Sequence, residues 1–386
     1  MDVLRITIIG WYGTETIGDR AILAGLISLF NKTYQDFEIQ LGSLYPFFSE
    51  RTLNEDYAFY KEIIGIDFKF NIFNSKKSKE LNNALKHSDI VLMGGGPLMD
   101  LDELFMVEYA FKRAKKLGVK TALLGCGVGP LFKPKYQKSV LEIAINSDLI
   151  ILRDTKSKEN LEELYQTFNM PFDEKRINTS YDPAVECVLE YNKITKCNRE
   201  NYIAINLREF PREYKKDKNS GNINVDLERF IGEVSDKFEE REIRLIPMHY
   251  FHIGTDDRVF LNKIEQHLNR PNITVQNSNL TLKETIETYQ NSYFNIGMRF
   301  HSVVLQSIAS GRNYILDYTE PNKGKISGFI MDIDRDSFYE KRYIALQEDE
   351  ISIDIIKNVD ENFTFENSTV EKYLAIYIDK LKELST

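Results

Sequence analysis

Cysteine is scarce: Cys126, Cys187 and Cys197 are the three in 386 residues. None is spaced C-x-x-C, which argues against both a disulfide framework and a zinc site built on thiolates. No uncharged apolar run approaches the roughly 18 residues that a membrane-spanning helix needs. The opening MDVLRITIIGWYG has one early arginine and then runs into strand-like sequence. It lacks the basic, apolar and cleavage regions of a secretory signal. Positive charge is also in deficit, with 50 bases against 59 acids and a net −9. Such a balance excludes a general nucleic-acid binder and still allows a local basic pocket. These absences lead us to expect a cytoplasmic enzyme, with peripheral attachment at the inner membrane face as the other placement.

What is present is a globular composition, 42% apolar and 28% charged, unlike a disordered or fibrous chain. Length gives a soft prior of two to three domains. Short apolar runs alternate with helical patterns through the first half. VLRITIIG (3–10), FEIQLGS (37–43), DFKFNIF (67–73), DIVLMGGG (89–96), VKTALLGCGVGP (119–130) and DLIILR (148–153) read as strands. Residues 18–30, 77–87, 103–117, 134–146 and 155–168 read as helices. A polar stretch over 186–201 suits a linker. The alternation restarts with YIAINLR (202–208), EIRLIPMHY (242–250), NITVQN (272–277), YFNIGMR (293–299) and NYILDY (313–318). Helices are expected near 225–241, 256–267, 281–290 and 301–310, and an amphipathic helix over 370–384. Such alternation implies parallel βαβ units. The expected fold class is α/β, two Rossmann-like domains facing a cleft, over 1–188 and 200–345, with a C-terminal extension over 346–386.

In open α/β sheets ligands sit beyond the carboxyl ends of the strands, and the notable residues fall there. Gly10, Gly13 and Gly18 punctuate the loop before the first helix, with Asp19 near its N-cap. Gly95 and Gly96 follow one buried strand, and Gly127 follows another. Glycine there either lets a ligand approach the backbone or serves tight turning and packing. The spacing is neither G-x-G-x-x-G nor a Walker loop. Cys126 reads as a small buried hydrophobe. Asp182, before Pro183, reads as a turn or cap.

The sharpest segment is NIGMRFHSVVLQSIASG (295–311). Arg299 and His301 fall where a strand passes into a helix. An arginine fork and a helix N-terminus both suit an anion, and His301 can carry a proton near neutral pH. The alternative is an ordinary ion pair for Arg299 and a capping role for His301. Arg208 closes the first strand of the second half and is either aimed with Arg299 or a surface arginine. His249 and His252 lack helical metal spacing and a third ligand; Asp256 and Asp257 follow them, with Asp256 as the cap of the next helix.

Together GWYGTETIGDRAIL, VLMGGGPLMD, GCGVGP, DLIILRDTKSKENL, SYDPAV, INLRE, GMRFHSVVLQSIASG and EPNKGKISGF resemble the polysaccharide pyruvyl transferase family, in consistent order over roughly 5–330. The resemblance implies a GT-B-like pair of Rossmann domains. It implies transfer of a pyruvyl group from phosphoenolpyruvate to a sugar or lipid-linked oligosaccharide, forming a ketal and releasing phosphate. It assigns donor binding to Arg208, Arg299 and His301, with Arg299 and His301 in the chemistry. The family's late lysine matches Lys325, or Lys323 if a short insertion shifts the register. Gly13, Gly18, Asp19, Gly95, Gly96 and Gly127 would line the acceptor side. No cofactor and no metal are expected, phosphoenolpyruvate being a substrate. The chain departs from the family pattern at Arg20, where an acid is common, and at Thr14, Glu15 and Thr16. The competing readings are a sugar-nucleotide glycosyltransferase and a non-catalytic protein of a polysaccharide-assembly complex.

Overall fold

The computed structural model describes residues 3–67, 69–214, 222–251, 255–321 and 323–385. His252 lies outside the described residues. The chain divides into two compact units. Unit 1 holds Met1–Glu15, Asp19–Glu190 and Glu366–Thr386; unit 2 holds Thr16–Gly18 and Tyr191–Phe365. The 346–386 stretch, read as one extension, is thus divided between them.

Unit 1 is built from β1 (Leu4–Ile9), α1 (Ile17–Thr33), β2 (Phe37–Ser43), α2 (Pro46–Ile64), β3 (Phe70–Asn74), α3 (Ser78–Lys86), β4 (Ile90–Gly94), β5 (Pro97–Leu98), α4 (Leu104–Leu117), β6 (Lys120–Val128), α5 (Pro134–Ile145), β7 (Leu149–Leu152), α6 (Thr155–Thr167), β8 (Ile177–Thr179) and α7 (Pro183–Ile194). Its strands pair in the order β3-β2-β1-β4-β6-β7-β8, with β5 beside β6. Every pairing is parallel. The central β4, IVLMG, is buried along its whole length, as a strand covered by helices on both faces must be.

Unit 2 contains β9 (Tyr202–Asn206), α8 (Ile223–Lys237), β10 (Glu242–Leu245), α9 (Asp257–Leu268), β11 (Ile273–Val275), α10 (Leu282–Asn291), β12 (Asn295–Gly297), α11 (Phe300–Ala309), β13 (Asn313–Asp317), α12 (Lys325–Ile333) and β14 (Tyr343–Ala345). Its parallel order is β11-β10-β9-β12-β13-β14. Chain order reverses between β9 and β12, the switch point at which open α/β sheets hold ligands. The last helix, α13 (Asn367–Ser385), belongs to unit 1. It buries Val370, Leu374, Tyr377, Leu381 and Leu384, the spacing of one helical face.

The expected linker over 186–201 is corrected. Its first nine residues are the body of α7, which begins at Pro183, an N-terminal position that tolerates a missing N–H. Ala184, Val185, Cys187, Val188 and Tyr191 are all buried. That apolar stripe starts before residue 186, so a window opened there sees only its polar end.

Candidate active site

The carboxyl edge of the unit 2 sheet gathers the chemistry. β10, β9, β12 and β13 are consecutive neighbours, and His249, Arg208, Arg299 and Tyr318 follow them in that order. Arg208 and Arg299 therefore flank the switch point.

Arg299 is the N-cap residue of α11 and only 5% exposed. Asn206 holds its backbone N–H at 3.0 Å. Its Nε and Nη2 donate to the Asp257 carboxylate at 2.8 and 2.5 Å, and Nη1 lies 3.2 Å from His249 Nε2. An arginine can only donate, so His249 accepts there and carries its own proton on Nδ1. Asp257 also accepts the backbone N–H groups of Met248 and His249 at 3.0 and 3.1 Å. The fork expected to clamp a ligand is thus already closed on an internal carboxylate. What Arg299 offers beyond that pair is its position and the Nη1 edge turned toward His249. Asp256, beside it, caps α9 by accepting from Arg258 N at 3.0 Å.

Arg208, Lys325 and a residue not anticipated, Tyr318, form the second part of the site. Arg208 Cζ lies 5.2 Å from the centroid of the Tyr318 ring, and Lys325 Nζ lies 5.8 Å from it. Both distances suit a cation against an aromatic face. Lys325 opens α12, while Lys323 is exposed in the turn before it. Buried Asp317 organises that turn: it accepts from Thr319 N at 2.7 Å, Thr319 Oγ1 at 2.5 Å and Tyr343 Oη at 2.5 Å. Burial pushes the Tyr318 phenol up, but the positive charges of Lys325, Arg208 and Arg299 more than offset this and hold it at about 8. The three cations assigned from the sequence thus act on one phenol.

His301 is the second residue of α11 and sits half-buried, its ring edge-on to Phe300 at 5.0 Å between centroids. Thr16–Gly18 belong to the same unit. Thr16 bridges to His249, Ile17 N donates to Met248 O at 3.1 Å, and a Cβ on Gly18 would fall 2.0 Å from His301 Nδ1. Gly18 is therefore the backbone surface against which the imidazole rests.

In unit 1 the glycines are used for packing. A Cβ on Gly13 would meet Ser43 Oγ at 2.4 Å, on Gly95 the Ile22 side chain at 2.3 Å, on Gly96 the Trp11 indole at 2.5 Å and on Gly127 the Arg153 guanidinium at 2.4 Å. The room that glycine leaves at these positions is filled by the protein's own side chains, the packing role that the sequence left open beside the approach of a ligand. Gly13, Gly95 and Gly96 also have φ of +84°, +69° and +72°, which favour glycine in their own right. Asp19 accepts from Thr14 Oγ1 at 3.0 Å in the first turn of α1. Cys126 is buried and its thiol is pushed up to about 12 by that burial, which suits the inert, space-filling role expected of it. Asp182 accepts from Ala184 N at 3.0 Å, capping α7.

The departures from the family pattern are compensated from α2. Arg20 Nε and Nη2 donate to Asp56 at 2.5 and 2.6 Å, with Glu55 at 3.4 Å, and Glu15 pairs with Arg51. Among the described residues no group of three or more His, Cys, Asp or Glu is placed to hold a metal ion. No helix among them is long and apolar enough to cross a membrane.

Sequence reasoning passed over Tyr318 and the pairing of Asp257. Tyr318 carried one usable signal, its position directly after a strand neighbouring that of Arg299. Asp257 carried none, since a helix-start aspartate reads as a cap.

Comparison with solved structures gives the fold. The UDP-GlcNAc 2-epimerase from Neisseria meningitidis is similar at 14% identity, over 99% of this chain and 100% of that one, with a TM-score of 0.55. A UDP-N-acetylglucosamine 2-epimerase from Listeria monocytogenes is similar at 15% identity, over 82% of this chain and 79% of that one, with a TM-score of 0.52. The α,α-trehalose 6-phosphate synthase from Burkholderia multivorans is similar at 9% identity, over 100% and 98%, with a TM-score of 0.51. These likenesses establish the α/β, GT-B-like pair of Rossmann units. No curated protein sequence matches the chain. The sequence model of the polysaccharide pyruvyl transferase family matches residues 17–311, and the chain belongs to that family.

Proposed function

We propose that the protein transfers the pyruvyl group of phosphoenolpyruvate to two hydroxyls of a sugar in a cell-surface polysaccharide or its lipid-linked precursor. The product is a ketal, and phosphate is released. The observation that carries this reading is the approach of Arg208 and Lys325 to Tyr318, with the charge of Arg299 acting on the same phenol, beside the switch point of unit 2. Phosphoenolpyruvate brings a carboxylate and a phosphate, and a pocket for it needs more than one cation.

Because Arg299 is paired with Asp257, Arg208 and Lys325 take the donor's charge, and Arg299 adds its field and its Nη1 edge. His301 gives a proton to C3 of the enol, which makes C2 electrophilic. One sugar hydroxyl attacks C2, phosphate leaves, and the second hydroxyl closes the ring. The atoms balance without a further reagent: one hydroxyl proton replaces the one delivered to C3, and the other leaves on phosphate. General acid help of this kind contributes about 10²–10⁴-fold; positioning and charge stabilisation supply much of the rest.

The test is incubation with phosphoenolpyruvate and a panel of glycosides, following phosphate release and the mass gain of a bound pyruvyl group. Acceptor-dependent phosphate release with that mass gain supports the reading. Consumption of a nucleotide sugar in its place would move the protein to glycosyl transfer.

A further inference from the structure

Tyr318 follows β13 and is 3% exposed. Arg208 comes to it from the end of β9, 5.2 Å from the ring centroid, and Lys325 from the N-terminus of α12, at 5.8 Å; the charge of Arg299, at the N-terminus of α11, also acts on the phenol. Tyr214 packs edge-on against its ring, with centroids 5.7 Å apart. Gln347 Nε2 donates to its backbone carbonyl at 3.2 Å. Asp317, its chain neighbour, is occupied by Thr319 and Tyr343. Among the described residues, the charged and titratable groups that face the phenol are Arg208, Arg299, Lys325, Asp317 and Tyr214. A phenylalanine would serve the aromatic contacts equally well. The hydroxyl adds a group that hydrogen-bonds Lys325 and can exist as a donor or as an anion.

We propose that Tyr318 is a ligand-binding residue that exchanges roles with the donor: its phenolate balances the cations before the donor binds, and its neutral hydroxyl hydrogen-bonds the donor's anionic group once that group takes over the balance. The identity of the donor rests on the function proposed above; the exchange itself does not. The cations hold the phenol at about 8, so near pH 8 about half of it is ionised. An arriving anion cancels the field that keeps the phenol low. Its pKa rises, and a proton passes from buffer to the phenolate oxygen as the ligand binds. Binding that raises a pKa takes up protons and weakens as pH climbs through the lower value. Donor affinity is then full below about pH 8 and falls about thirtyfold between about pH 7 and pH 9.5.

Two measurements on the full chain test this. In an ultraviolet titration without ligand, the native protein forms one tyrosinate near pH 8 that is missing from Tyr318→Phe. Lys325→Met, which keeps the tyrosine, moves that titration upward. In calorimetry near pH 8, in two buffers of different ionisation heat, phosphoenolpyruvate binds the native protein with uptake of about half a proton. Tyr318→Phe takes up none, and its affinity near pH 7 falls by about tenfold to a hundredfold, the range for a lost hydrogen bond to a charged group. Absence of the early tyrosinate, or equal proton uptake by both proteins, overturns the proposal. If phosphoenolpyruvate leaves the tyrosinate band unchanged while inorganic phosphate or UDP bleaches it, the exchange stands and the donor assignment falls.

Discussion

Unit 1 and unit 2 both bury arginines, but they do so to different ends. In unit 1, Arg20 meets Asp56 and Glu55, and Arg153 meets Asp154 and Asp182. Each buried guanidinium there faces two carboxylates. In unit 2, Arg299 faces one, and Arg208 and Lys325 meet a phenol. A buried cation matched by acids has spent its charge on the fold. A cation set against an aromatic ring keeps most of its charge for an incoming anion. The contrast separates residues that hold a Rossmann unit together from residues that do its binding, although the sequence presents all of them as arginines near strand ends.

The largest effect expected from breaking this contrast lies in unit 1. Asp56→Ala leaves Arg20 buried without its main partner and should cost about 3–5 kcal/mol of stability, read from the denaturant midpoint of the chain. The double variant Arg20→Met with Asp56→Leu should recover most of that loss, because a packed apolar pair avoids the desolvation cost. An unchanged midpoint in Asp56→Ala would show that Arg20 does not depend on the pair. The matching change in unit 2 acts on rate. His301→Ala should lower turnover at least about a hundredfold while phosphoenolpyruvate affinity, by calorimetry, stays within about tenfold. Unchanged turnover would remove His301 from the chemistry.

The alternation of strands and helices was readable because central parallel strands such as IVLMG and YIAIN are apolar throughout and their helices carry clear stripes. Helix α2 was not read at all. Its buried face includes Ser49 and Asp56 beside Leu53, Phe59, Tyr60 and Ile63, so polar residues interrupt the period that marks a helix. The same Asp56 explains why Arg20 looked anomalous: its compensation lies 36 positions away. Site residues were legible where a strand end and a charged type coincided, as at Arg208 and Arg299. How those charges are spent was not legible, because Asp257 reaches Arg299 across 42 positions. The glycine loops show the same limit in reverse. Composition marks where the backbone is bare, and only packing shows that Trp11, Ile22 and Ser43 fill the space.

The finest test of the contrast uses two lysines in one turn. Lys325 lies against Tyr318, and Lys323 is exposed one residue before Gly324. Lys325→Ala should weaken phosphoenolpyruvate binding by about tenfold to a hundredfold, the range for a lost hydrogen bond to a charged group. Lys323→Ala should change it by less than about threefold, because an exposed charge in water is screened. The two variants remove the same formal charge from the same segment, so net charge cannot account for a difference between them. Equal losses from both would mean that the binding field belongs to the whole turn and not to the cations gathered at the phenol.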